Sequence, residues 1–197
     1  FITGPSVVGI SWGSASGLHS IERPDGKFMI IASEASSNSF KTRIYDPIAN
    51  TISVGPDVVG TAGNAVGEGA HSIQRPDGKF LLILGNTTND TSIYDPIANT
   101  FVAGPAVPNG VSGTIAGGAH SIQRPDGKFL VYRRNNSAIT FIYDPVANSF
   151  VVGPSLINSV GGILGAHSIQ RPDGKFLILA GGIATNIYDP VDNTMFA

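Results

Sequence analysis

Hydrophobic residues in this chain fall in short runs of four or five, and Gly, Pro, Asp or Asn closes most of them. The stretch 71–105 shows the order. Positions 71–75 read as a short strand and Pro76-Asp77-Gly78 as a turn. Lys79 then opens a second strand, whose run Phe80-Leu81-Leu82-Ile83-Leu84 is apolar at every position. A strand apolar on both sides has to be covered on both faces. After the polar loop 86–91 come a third strand around Ser92-Ile93-Tyr94, a turn opened by Asp95-Pro96, and a fourth, outermost strand at Thr100-Phe101-Val102-Ala103. Proline fixes φ at the first turn position, glycine accepts the left-handed position, and the aspartate carboxylate accepts backbone N–H groups. No segment carries the 3.6-residue period of an amphipathic helix.

This pattern repeats. Gly69-Ala70-His71-Ser72-Ile73-Gln74-Arg75-Pro76-Asp77-Gly78-Lys79-Phe80 returns almost unchanged at 118–129 and 165–176, and with small changes at 17–28. Its histidines stand at 19, 71, 120 and 167, so the period is 52, 49 and 47 residues. Self-similarity at about 20–50 residues marks stacked or radially arranged units, each one supersecondary element. Four antiparallel strands at this period predict an all-β fold, a β-propeller of four-stranded blades, with strands near 19–23, 27–32, 43–46 and 51–54 and their equivalents. The chain reads as a single propeller, or propeller segment, of four blades over 1–197, with repeats at approximately 1–51, 52–100, 101–149 and 150–194.

The succession His-Ser, Pro-Asp-Gly-Lys, an apolar strand ending in glycine (Ala180-Gly181-Gly182 in the last copy), Ile-Tyr-Asp-Pro and Asn-Thr-Phe resembles the kelch repeat in its bacterial and galactose-oxidase-like version. The resemblance covers the whole chain in four copies and implies kelch-like blades. It implies no single function, because kelch propellers serve as binding modules, scaffolds and enzyme frames alike. The double glycine stands only at Gly181-Gly182, and the tryptophan usual in the kelch outer strand is replaced by Ile52, Phe101, Phe150 and Met195. The tyrosine and cysteine pair of galactose-oxidase-like copper enzymes cannot form in a chain without cysteine, so no cofactor is expected.

Composition narrows the function further. A hydrophobic content of 42% argues for a real core, and Gly 25 with Pro 13, about a fifth of 197 residues, fits many short strands joined by turns. The absence of cysteine removes disulfides, thiolate metal ligands and cysteine nucleophiles. A net charge of −2 supplies no basic field for phosphate backbones or anionic lipid, so neither nucleic acid nor membrane is expected as a partner. No apolar run approaches the roughly 18 residues that span a bilayer, and no charged leader precedes an apolar core at the start. The compartment is left open, with a secreted or cell-surface location favoured.

Comparing the four copies points to one face. From His to Phe is nine positions in each copy, and from Tyr to the outer-strand apolar residue is seven, so the two hairpins on one face have fixed length. On the other face the connections vary: Phe to Tyr is 17, 14, 14 and 12. Loops that differ over a repeated scaffold are where specificity is placed. They carry the candidate ligand-binding residues Trp12, Arg43, Asp90, Arg133 and Arg134, with Glu34, Lys41, Asp57 and Glu68 as further charges. The repeated Arg-Pro-Asp-Gly-Lys charges on the opposite face read as turn formers and solubilising groups.

The first strand of each blade is expected to line the central channel, which gives a ring of His19, His71, His120 and His167. Four converging imidazoles suit a transition metal, but a repeated His at a strand start more often bonds backbone, so no metal ligand is assigned. Each neighbouring serine, Ser20, Ser72, Ser121 or Ser168, points to the other side of its strand and cannot act on the histidine beside it. The expected function is a non-catalytic binding or scaffold propeller presenting its variable loops to a protein or glycan. The alternative is an enzyme or metal-binding protein with a site at the channel mouth formed by the repeated histidines. Because Phe1-Ile2-Thr3 and Met195-Phe196-Ala197 both match Phe101-Val102-Ala103, the chain is expected to be a piece of a longer array, or half of an eight-bladed ring completed by a homodimer, rather than a closed four-bladed ring.

Overall fold

The computed structural model describes residues 3–6, 17–31, 41–59, 66–67, 69–85, 88–108, 119–132, 138–158, 166–179 and 185–197. These residues form four antiparallel sheets, each of four strands in chain order. The first blade is β1 (His19–Glu22), β2 (Phe28–Ile31), β3 (Thr42–Asp46) and β4 (Thr51–Val54). The second is β5 (His71–Gln74), β6 (Phe80–Ile83), β7 (Thr91–Asp95) and β8 (Thr100–Ala103). β9 (His120–Gln123), β10 (Phe129–Tyr132), β11 (Thr140–Asp144) and β12 (Ser149–Val152) make the third, and β13 (His167–Gln170), β14 (Phe176–Leu179), β15 (Thr185–Asp189) and β16 (Thr194–Phe196) the fourth. Each sheet therefore runs from a histidine to the next outer strand, whereas the repeats counted from residue 1 run from one outer strand to the next.

Two short hairpins set the register at one end of every blade. In the second blade Arg75 N–H donates to Lys79 O at 2.8 Å, Asp77 Oδ1 accepts the Lys79 N–H at 3.1 Å, and Gly78 takes φ 77°, the left-handed value expected of it. Asp95 closes the other hairpin by accepting the N–H groups of Ile97 and Ala98, both at 3.0 Å. Asn99 follows with φ 55°, a conformation Asn tolerates better than other residues with a Cβ. Lys79 Nζ lies 3.0 Å from Asp95 Oδ2 and ties the two hairpins together. The Ala98 N–H and then the Lys79 ammonium hold the Asp95 carboxyl below the usual carboxylate range.

The core lies between blades rather than within them. Ile21, Met29 and Ile31 meet Phe80, Leu82, Leu84 and Tyr94; Ile73, Leu81 and Ile83 meet Phe129, Val131 and Tyr143; Ile122, Leu130 and Tyr132 meet Phe176, Ile178 and Tyr188. A four-stranded sheet apolar on both faces cannot bury either alone, so neighbouring blades supply the cover. Behind the outer strand, Thr91 Oγ1 donates to Pro105 O at 2.7 Å, and Gly104 admits this contact because a Cβ there would stand 2.3 Å from that oxygen.

Arginine then locks each junction. Arg75 Nη1 donates to Asn148 Oδ1 at 2.6 Å and to the Tyr143 hydroxyl, while Asp77 holds its Nη2 at 3.1 Å. Arg23 does the same with Asn99 and Tyr94, and Arg124 with Asn193 and Tyr188. These arginine side chains are only 10% exposed. This corrects the reading of the repeated arginines as solubilising turn charges. Their stems run along the junction, and a forked guanidinium reaches three acceptors that no single blade brings together.

Candidate functional site

Side chains alternate along the first strand of each blade, and the alternation decides what the inner wall presents. On β1, Ile21 turns into the core, while Ser20 and Glu22 are exposed. On β5 and β9 the isoleucines are again buried, the serines are half-buried and Gln74 and Gln123 are exposed. At each of the three junctions this wall opens into a cleft, of about 560, 500 and 470 Å³. The first is lined by Ser20, Glu22, Arg23, Ser72, Gln74 and Phe80, among others. The second repeats it with Ser72, Gln74, Arg75, Ser121, Gln123 and Phe129, and the third with Ser121, Gln123, Arg124, Ser168, Gln170 and Phe176. Each cleft thus offers hydroxyls, amides and one aromatic side chain from two blades. Glu22 stands where the other copies have glutamine, and it is the one carboxylate among the lining residues.

The four histidines open β1, β5, β9 and β13 on the side of the strand opposite to the serines. His19 and His71 use Nδ1 toward Gly17 O at 2.8 Å and Gly69 O at 2.9 Å, so Nδ1 carries the proton in the neutral ring. Among the described residues their Nε2 atoms are buried without a partner. Burial, and then the neighbouring His120 and His19, push the His71 pKa from 6.5 down to about 4. His120 Nε2 lies 3.2 Å from Ser168 Oγ, across a junction, and the His120 and His167 rings stand 5.8 Å apart. Along this row His19 and His71 are held to backbone just before their own strands, and His120 reaches Ser168 and His167 of the fourth blade. No group of three or more His, Asp or Glu placed to hold a metal occurs among the described residues.

Of the expected ligand-binding residues, Arg43 lies within β3, 4% exposed, with Nη1 donating to Thr42 O at 2.8 Å. Asp90 is half-buried, and its N–H donates to Thr88 Oγ1 at 2.9 Å. Asp57 pairs with Lys41 at 2.6 Å. Trp12, Arg133 and Arg134, with Glu34 and Glu68, lie outside the described residues. Arg43 thus belongs to the third strand of the first blade, and Asp90 stands just before the third strand of the second. Sequence reasoning missed the Ser and Gln lining. Its signal was available, because Ser and Gln recur two apart beside the histidine in three copies, with Glu in the fourth.

The chain is all-β, and its fold is a β-propeller. No family model and no curated protein matches it. Among solved structures it is similar to a fungal alcohol oxidase of the AA5 family in complex with copper, at TM-score 0.65 and 17% identity, covering 92% of this chain and 43% of that one. It is also similar to the Penicillium chrysogenum alpha-L-arabinanase complexed with arabinobiose, at TM-score 0.56 and 10% identity over 88% of this chain and 61% of that one. Kuenenia stuttgartiensis hydrazine synthase matches at TM-score 0.57 and 17% identity, over 100% of this chain and 51% of that one. The chain thus spans 43% to 61% of the length of these structures, and the likeness is one of fold.

Proposed function

We propose that the blades are of the kelch type and that this chain is a non-catalytic binding module for a neutral, hydroxyl-rich ligand, a glycan, held along the inner wall. The observation that carries the reading is the threefold recurrence of one cleft, lined by serine hydroxyls and glutamine amides from two blades above a buried phenylalanine. Amides and hydroxyls both donate and accept, which suits sugar hydroxyls. Equal spacing of equivalent clefts favours a ligand that itself repeats, since weak sites in a row add by effective concentration.

Catalysis needs an asymmetric set of tuned groups. The clefts repeat one set of serine, glutamine, phenylalanine and a junction arginine already bonded to the next blade, and Glu22 has no second carboxylate beside it in the lining. The histidines of the first two blades are tied to backbone, and His120, which meets Ser168 at the edge of the third cleft, has no carboxylate in that lining to work with. The test is binding of the 197-residue chain to a panel of neutral oligosaccharides, followed by the double change Gln74→Ala and Gln123→Ala. The reading requires a glycan that binds without being cleaved and whose affinity falls at least tenfold in the double variant. It fails if no neutral glycan binds, or if the variant binds as the parent does.

A further inference from the structure

We propose that the first cleft selects a sugar ring bearing a free, protonated amine, so that the ligand is a glycan containing amino-sugar units and Glu22 is the residue that reads them. This inference rests on the glycan reading above and narrows it. The four copies hold one register here. Glu22 stands opposite Phe28 on β2, as Gln74 stands opposite Phe80, Gln123 opposite Phe129 and Gln170 opposite Phe176. Two residues from Ser20, Glu22 lies on the same face of β1, and both are exposed. A carboxylate in place of the amide thus keeps the place of the side chain and changes its chemistry. A glutamine amide donates and accepts, whereas a carboxylate only accepts.

Charge then separates the first cleft from the other two. Each cleft is lined by one arginine, and in each the guanidinium meets an aspartate two residues on: Arg23 with Asp25 at 3.1 Å, Arg75 with Asp77 at 3.1 Å and Arg124 with Asp126 at 3.0 Å. These pairs offset one another. Lys27, the next cation along the chain from Arg23, is taken by Asp46 at 3.0 Å. Among the described residues Glu22 has neither a hydrogen bond nor an ion pair of its own. The second and third clefts therefore have their one charge offset, and the first adds an unpaired carboxylate to an open space of about 560 Å³ beside Ser20, Ser72 and Gln74. A sugar hydroxyl offers that carboxylate one ordinary hydrogen bond. An ammonium offers three donors and the opposite charge, and charge-assisted bonds are the stronger ones. The serines and glutamines take the hydroxyls of the same ring and its neighbours, which is what distinguishes an amino sugar from any other cation.

The experiment compares the Kd of cellotetraose and of the glucosamine tetramer of the same linkage for the 197-residue chain, at about pH 6.5 where the amines are protonated. The two ligands differ by an amine in place of one hydroxyl on each ring. The glucosamine tetramer is expected to bind about three- to fivefold tighter at roughly 20 mM salt, the scale of an exposed ion pair, and the preference fades toward roughly 0.5 M salt. In Glu22→Gln the ratio of the two constants falls to about one. In Gln123→Glu it rises about threefold again, because a second carboxylate enters the second and third clefts. Both positions are exposed, so neither change asks the fold to yield. Tetralysine, with as many ammonium groups and no sugar hydroxyls, is expected not to compete at the same concentration. Equal constants for the two tetramers overturn the inference, as does a preference that survives in Glu22→Gln or competition by tetralysine as strong as by the glucosamine tetramer. A chain that binds a neutral glycan but shows no amine preference keeps the glycan reading and loses this one. A chain that binds the glucosamine tetramer alone, through Glu22, keeps this one and loses the neutral ligand, and a chain that binds neither kind loses both.

Discussion

Arg75 in the second blade and Asn148 in the third are 73 residues apart in the chain, and the guanidinium Nη1 lies 2.6 Å from the Asn148 Oδ1. The same nitrogen donates to Tyr143, whose hydroxyl bonds Asn148 at 3.1 Å, so one arginine closes a three-membered polar knot over an apolar junction. Hydrogen bonds to a charged group contribute about 1.5–3 kcal/mol when shielded from water. Arg75→Ala is expected to lower the unfolding free energy by that amount in urea titration. Arg75→Lys recovers little of it, because an ammonium cannot fork to Tyr143 and Asp77 at once.

Asn148 holds φ 51°, and its side chain receives both donors of the knot. Asn148→Gly keeps the backbone at ease and loses only the knot. Asn148→Ala loses the knot and adds about 1–2 kcal/mol of left-handed strain. The melting temperature is therefore expected to fall in the order Asn, Gly, Ala. Equal melting for the glycine and alanine variants counts against strain at this turn.

Gly104 and Thr91 are matched by contact. An alanine Cβ at 104 meets Thr91 Oγ1 at 2.3 Å and the Leu81 side chain at 3.2 Å. Gly104→Ala is expected to cost about 1–3 kcal/mol through overpacking. In a Thr91→Ala background most of that cost disappears, because the obstructing oxygen is gone. A double-mutant cycle with no coupling between the two positions would show that the backbone yields instead.

The histidine row makes stability depend on pH above the carboxylate range. His71 is held neutral by burial, its pKa lowered from 6.5 to about 4. A depressed folded pKa means that the unfolded chain takes up protons first, so stability is full above about 6.5 and is lost as pH falls toward 4. The gap is worth on the order of 3 kcal/mol for this one group. Asp46, Asp95 and Asp144, held low first by backbone N–H groups and then by lysines, extend the loss to more acid pH in the same direction. Chemical denaturation at pH 7, 6, 5 and 4 should show the decline, and His71→Asn should flatten it between 6.5 and 4.

What was legible in the sequence is what neighbouring residues settle among themselves. Pro76-Asp77-Gly78 and Asp95-Pro96 fixed the hairpins, because the turn bonds are made within five residues, and the apolar run at 80–84 announced a strand covered on both sides. The spacing of His71 and Phe80 fixed their register, with Gln74 opposite Phe80. The sequence by itself therefore determined strands, turns and blades, down to which residues repeat. Only the tertiary structure decided which repeated residues meet. That depends on how far one blade is turned and shifted against the next. This rotation places Arg23 on Asn99 and sets Ser72 and Ser121 around one cleft. A repeat gives every copy the same side chains, and the neighbour it meets decides whether they are core, clamp or cleft lining.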